Sequence, residues 1–191
     1  MKLYDISRSL FEEEPFPGDP APEFEFVKLI GDDSNYSLST LSMCVHNGTH
    51  TDAPLHFIPD GKSIGEVDLM HCYGEAWVVE FIEIIEKDAF IRKVPQECKR
   101  LLIKGNALVT PEIAQLICKR QMLLVGTELQ TIGRTETLTE IHRILLGNEV
   151  VLLESIDLSI VPEGQYTLAA FPLKISPLEA SPCRAVLISE R

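Results

Sequence analysis

Hydrophobic and polar positions change rhythm along the chain, and the changes divide it into elements. Glu23-Phe24-Glu25-Phe26-Val27 alternates strictly, which predicts a strand with one buried face. Lys2 to Ser7 predicts a short strand before it. Pro15, Pro17, Gly18, Asp19, Pro20 and Pro22 stop any regular element from running between the two. Gly31 to Asn35 predicts a turn, and Tyr36 to Val45 a second strand with Leu41, Met43 and Val45 on one face. Ala76 to Ile85 has the composition of a long strand. Leu101-Leu102-Ile103 and Met122-Leu123-Leu124-Val125 are continuous apolar runs, expected of strands buried on both faces.

Helical spacing appears twice. Thr110 can cap a helix, Pro111 suits its first turn, and Ile113, Leu116 and Ile117 then share a face. A second helix is expected after Thr137, where Glu140 stands at capping-box spacing and Ile141, Ile144 and Leu145 follow on one side; Gly147 ends it. Val150 to Leu153 predicts a short buried strand running into Glu154, with further β segments near Leu168 and Val186. The elements predict one α/β domain over residues 1–191, a mixed central sheet or barrel-like β core flanked by helices.

Composition narrows the function. Of 191 residues, 45% are apolar and 24% charged, the balance of an ordinary globular protein. Seventeen Lys and Arg stand against 29 Asp and Glu, a net charge of −12, which argues against nucleic acid as a partner. The acidic start carries no apolar signal-peptide core, and no apolar run reaches the roughly 18 residues that span a bilayer. Cys44, Cys72, Cys98, Cys118 and Cys183 are odd in number, dispersed and never in a C-x-x-C pair, so they read as core thiols in a reducing cytoplasm. The net charge speaks to solubility and association rather than to which small molecule or other partner the chain takes.

Candidate chemistry is concentrated in His46-Asn47-Gly48-Thr49-His50-Thr51-Asp52-Ala53-Pro54-Leu55-His56-Phe57. Three of the five histidines and an aspartate fall within eleven residues. Imidazole and carboxylate together suit Zn²⁺, Mn²⁺ or Fe²⁺. The i, i+4 spacing of His46 and His50 does not make a helical zinc face here, because Gly48 interrupts it, Pro54 follows and no Glu follows His46. A loop fits better: Gly48 lets the backbone fold back, and beyond it the period of two points His50 and Asp52 the same way. His56 is either a fourth ligand or a general acid/base standing off the metal, and the second role is favoured. His71, isolated, reads as a structural histidine.

The segment resembles the signature His-x-Gly-Thr-His-x-Asp-x-Pro-x-His of the metal-dependent cyclase family, which includes bacterial kynurenine formamidases and isatin hydrolases. His46, Gly48, Thr49, His50, Asp52, Pro54 and His56 match at every fixed position. Asp5-Ile6-Ser7 and Pro17-Gly18-Asp19 are similar to the family's opening strand and following loop. His142-Arg143-Ile144-Leu145-Leu146, with Leu153-Glu154 beyond it, is similar to the helix-then-strand segment that supplies ligands to a second metal. The resemblance implies a swivelling β/β/α cyclase-like fold and a homodimer or larger homo-oligomer. It also implies two divalent ions, zinc or alternatively manganese. His46, His50 and Asp52 would hold one, with Asp52 bridging, and His142 and Glu154 the other. Near a helix N-terminus, the dipole is expected to keep His142 neutral.

The activity implied is hydrolysis of a C–N amide bond by metal-activated water, with N-formylkynurenine as the leading substrate and His56 protonating the departing amine. The alternatives are a same-family enzyme for another cyclic amide or ester, and a non-catalytic metal-binding relative. Two departures bear on specificity. Gly126-Thr127-Glu128 has Glu where the family often has Asp, and Lys104 to Val109 is shorter than the corresponding segment of formamidases. Phe16 stands where formamidases carry an aromatic residue, and it can stack on an aryl substrate.

Overall fold

The apolar runs form the middle of one large sheet. The computed structural model describes residues 1–31 and 34–189. In chain order these give β1 (Lys2–Asp5), β2 (Glu23–Lys28), β3 (Leu38–Ser42), β4 (His50–Asp52), β5 (Tyr73–Glu80), α1 (Lys87–Lys93), β6 (Arg100–Lys104) and α2 (Pro111–Lys119). There follow β7 (Leu124–Thr127), α3 (Leu138–Gly147), β8 (Val151–Glu154), β9 (Gly164–Ala169), β10 (Ala180–Pro182) and β11 (Val186–Ser189). Nine strands pair in the order β1-β11-β9-β5-β6-β7-β8-β4-β10, while β2 and β3 pair only with each other. The central four, β5 to β8, are parallel, and the strands on both flanks are antiparallel.

Both faces of the central strands are buried, as continuous apolar runs require. Val79, Leu101, Ile103, Val125 and Leu152 pack against Phe90 of α1, Ile113 and Ile117 of α2, and Ile141 and Leu145 of α3. The alternate residues Val78, Leu102, Leu124, Val151 and Leu153 pack instead with Tyr4, Leu168 and Leu187 from the flanking strands. Helices therefore cover one face, and the sheet covers the other by curling over itself into a half-barrel. This α/β arrangement joins the two forms expected of the core, a mixed sheet and a barrel-like one.

Several boundaries differ from expectation for physical reasons. The strand expected over 76–85 lies at Tyr73–Glu80, because Glu83 adopts φ 58° and turns the chain, leaving Ile82 80% exposed. The short helix α1 and the strands β4 and β10 carry too few apolar positions for periodicity to reveal them. Thr110 caps α2 as expected, accepting from the Ile113 amide at 3.3 Å. Thr137 does not cap α3: it has helical backbone angles, and its hydroxyl donates to Arg134 O. A reciprocal capping box forms instead at Ser63 and Glu66.

The half-buried strand expected at Glu23–Val27 is exposed throughout, as is β3. Among the described residues the ribbon packs against no core. Its aromatic face makes local edge-on contacts, Phe24 lying 5.1 Å from Phe11 and 5.4 Å from Phe26 between ring centroids. The turn expected at Gly31–Asn35 includes Asp32 and Asp33, which lie outside the described residues. No described helix is long and apolar enough to cross a membrane. All five cysteines are free, and burial pushes the Cys72 and Cys98 thiols up to about 12.

Candidate active site

The histidine-rich segment is a tight turn followed by a short strand. Asn47 Oδ1 accepts from the Cys44 amide at 2.9 Å, and the Asn47 amide donates to Cys44 O at 3.0 Å. Gly48 then takes φ 62°, a left-handed conformation that strains any other residue. Thr49 Oγ1 donates to Ser155 O and accepts from the Arg8 amide, tying the turn to the end of β8 and to the N-terminal segment. These contacts account for the Gly-Thr of the motif without any part in chemistry.

Strand pairing then assembles the site. In β4 the alternation points His50 and Asp52 to one face. β4 lies antiparallel to β8, with His50 opposite Glu154 and Asp52 opposite Leu152. Leu152 belongs to the helix-side core, so this face looks toward α3, whose fifth residue is His142. The cluster sits at the carboxyl end of β8, where parallel α/β sheets commonly bind ligands.

Distances are those of a dense polar cluster. His46 Nδ1 lies 3.1 Å from Asp52 Oδ1, and His50 Nε2 lies 3.4 Å from the same oxygen. Glu154 stands between two imidazoles, its Oε2 3.6 Å from His50 Nε2 and its Oε1 3.6 Å from His142 Nε2. The Ile132 amide donates to Glu154 Oε1 at 2.8 Å. His50 Nδ1 donates to Gly48 O at 2.9 Å, and His142 Nδ1 to Leu138 O at 2.8 Å. Each of these rings therefore turns Nε2 inward, which in the neutral form carries the lone pair. The His56 ring lies 4.3 Å from His46 and 5.9 Å from His142 between centroids.

Charge and burial act against one another here. Burial disfavours protonated His50, but Asp52 and Glu154 outweigh it and lift the imidazole to about 9. His46 is raised by Asp52, and His142 by Glu154, each against the cost of burial. The dipole effect expected at His142 is thus overridden, because the residue lies a full turn inside α3 with a carboxylate beside it. Burial also opposes ionisation of Asp52, yet the His50 and His46 rings hold its carboxyl well below the usual range. His56 goes the other way, lowered to about 4 by burial.

The donor set fits a divalent cation. His50 Nε2 and both Asp52 oxygens are buried and make no hydrogen bond. A carboxylate left so is costly unless a cation meets it. His46, Asp52 and His56 each present a donor within 4.8 Å of the others, as do His50, Asp52 and Glu154. Asp52 belongs to both groups. The grouping differs from the partition implied by resemblance, since His50 faces Glu154 while His56 joins His46.

The cluster opens into a cavity of about 250 Å³ walled by Pro15, Phe16, Phe57 and Leu138, with Glu14 and Gln130 among its polar lining. Phe16 therefore shares a cavity with His46, His50, His56 and His142. None of residues 104–109 lines this cavity, so the shortened segment does not shape it directly. Glu128 holds that segment from a distance, its two oxygens accepting from the Gly105 and Leu158 amides at 2.6 and 2.8 Å. His71 lies on a separate turn, bonded to Asp68 O. Sequence reading did not find Phe57, Leu138 or Glu179, whose Oε1 lies 3.4 Å from His46 Nε2. Phe57 directly follows His56 in the motif and was the one within reach.

Known proteins resemble this chain in sequence and in fold. Residues 4–100 match the Cyclase family model. A kynurenine formamidase of Paracidovorax citrulli is 31% identical, over 97% of this chain and 95% of its own. The solved structure of a potential metal-dependent hydrolase with cyclase activity is 27% identical and superposes with a TM-score of 0.84, covering 97% of this chain and 96% of that one. Isatin hydrolase A from Labrenzia aggregata, 20% identical, shares the fold with a TM-score of 0.86, over 99% of this chain and 94% of its own. The chain belongs to the Cyclase family.

Proposed function

We propose that the protein is a metal-dependent amidohydrolase that cleaves the C–N bond of an aryl formamide, with N-formylkynurenine as its leading substrate. One observation carries the reading: two three-donor groups share the buried carboxylate of Asp52, neither oxygen of which makes a hydrogen bond. His46, His50, Asp52, His142 and Glu154 are the proposed ligands of two ions, zinc or manganese. Such ions, when bound, lower the pKa of water toward neutrality and polarise a carbonyl oxygen.

His56 supplies what the ions cannot. Lowered to about 4, its imidazole is neutral near pH 7 and has a lone pair free to take a proton from the attacking water. It then gives that proton to the amine nitrogen, which leaves poorly as an anilide. Water is consumed, and formate and an aromatic amine are released. Phe16 and Phe57 offer flat apolar surfaces for the aryl group. The kynurenine formamidase relative and the metal-dependent hydrolase structure support this class of reaction. The exposed apolar side of the β2–β3 ribbon, with Phe24, Phe26 and Leu41, supports a homo-oligomer.

A second role for His56, as a ligand, is favoured by its place in one donor group with His46 and Asp52. The substrate class is tested by turnover of formanilide, N-formylkynurenine, isatin and a simple lactam on protein of known metal content. Formate release from the two aryl formamides is expected to exceed ring opening. Ring opening without formamide cleavage overturns the formamidase reading.

A further inference from the structure

The three inward-facing imidazoles are not held alike. His50 and His142 each spend Nδ1 on a backbone carbonyl, which fixes the ring and commits Nε2 to the cluster. His46 has no such carbonyl. Its Nδ1 faces Asp52 Oδ1 at 3.1 Å, and its outer nitrogen, Nε2, is buried without a hydrogen bond. Glu179 Oε1 lies 3.4 Å from that nitrogen.

Glu179 is well placed to close that gap. Its carbonyl accepts from the Ala53 amide at 2.9 Å, and the next residue, Ala180, pairs with Asp52 across β10 and β4. The backbone is thus anchored to the strand that carries the site. The side chain is 37% exposed, and among the described residues no Lys or Arg pairs with it. A ligating imidazole ordinarily donates its other N–H to a carboxylate or carbonyl, which fixes the tautomer and makes the ligating nitrogen more basic.

We infer that Glu179 is the positioning residue of His46: its carboxylate accepts the Nε2–H, so that Nδ1 carries the lone pair offered to a cation beside Asp52. The inference rests on the proposed metal site and assigns opposite ligating nitrogens to His46 and to the other two histidines. Glu179 itself is not a ligand.

Calorimetric titration of the metal-free full chain with Zn²⁺ and with Mn²⁺ tests this in the wild type, Glu179→Ala and Glu179→Gln, each checked for an unchanged melting temperature. Glu179→Ala is expected to weaken one bound equivalent by about 10–100-fold and to leave the stoichiometry intact. Glu179→Gln, which keeps an acceptor without the charge, is expected to lie between. Nitrogen-15 NMR of the Zn²⁺-loaded wild type is expected to show the proton of His46 on Nε2. Unchanged affinity in Glu179→Ala, loss of a whole equivalent, or a proton on Nδ1 overturns the inference while leaving the functional reading intact. A wild type that binds neither ion overturns the functional reading itself.

Discussion

His50 and Glu154 face each other across the antiparallel pair of β4 and β8, with His50 Nε2 3.6 Å from Glu154 Oε2. Strand register, rather than loop geometry, therefore joins the histidine motif to the distant segment that carries the second acid. Because Glu154 also approaches His142, neutralising it disturbs both sides of the cluster. Glu154→Gln keeps the shape and removes the charge. It is expected to lose one metal equivalent, with affinity falling beyond the about 10–100-fold typical of removing an outer partner. Elemental analysis after dialysis at fixed free metal checks this.

Replacing His56 separates proton transfer from metal holding. His56→Ala is expected to lower kcat on formanilide by about 10²–10⁴-fold with KM and metal content unchanged. The loss should shrink for an aryl formate ester, whose phenolate leaves without being protonated. A drop in metal content along with rate would assign His56 as a ligand.

The metal-free protein should have an unusual pH dependence of stability. His56 is neutral when folded down to about 4 but takes a proton in the unfolded chain below roughly 6.5, so stability falls as pH drops through that window. His50 behaves oppositely. Its folded value of about 9 means that its contribution is complete below roughly 6.5 and is lost as pH rises to 9. His46 and His142, also raised, act in the same direction. Thermal melts from pH 4 to 10 are expected to peak at about pH 6–7 without metal. Cations replace those protons, so metal-loaded protein should keep its stability up to about pH 9.

Glu128 offers a stability test away from the chemistry. Its carboxylate satisfies two amides, Gly105 and Leu158, that lie on different segments. Glu128→Ala is expected to cost about 2 kcal/mol or more through the unpaired donors, lowering Tm by about 4–8 °C in a chain of this size. Glu128→Asp, one carbon shorter, should recover less than half of that, because it cannot span both amides. The kcat of the remaining folded protein is expected to be unchanged, as measured beside calorimetric melts.

Much of this molecule was readable from its sequence where one local rule decides the outcome. Leu101-Leu102-Ile103 carries the mark of a strand covered on both sides, and Thr110-Pro111 that of a helix start, and both elements form. The spacing of His50 and Asp52 already implied a shared direction. What escaped depends on partners far away in the chain. Nothing near His142 or Glu154 marks them as neighbours of His50, and only family resemblance brought them in, because the β4–β8 pairing creates the contact. Glu179 lay beyond reach for the same reason. The β2–β3 ribbon misled differently: its alternation is genuine, but the apolar side finds no core within the chain.

Amide hydrolysis by this protein is proposed to depend on cations that these side chains hold. Formate release from formanilide, followed while metal-free protein is titrated with Zn²⁺ or Mn²⁺, tests it most directly. No turnover is expected without metal, and the rate should climb until two equivalents are bound. An undiminished rate on protein shown by elemental analysis to carry no metal would contradict it.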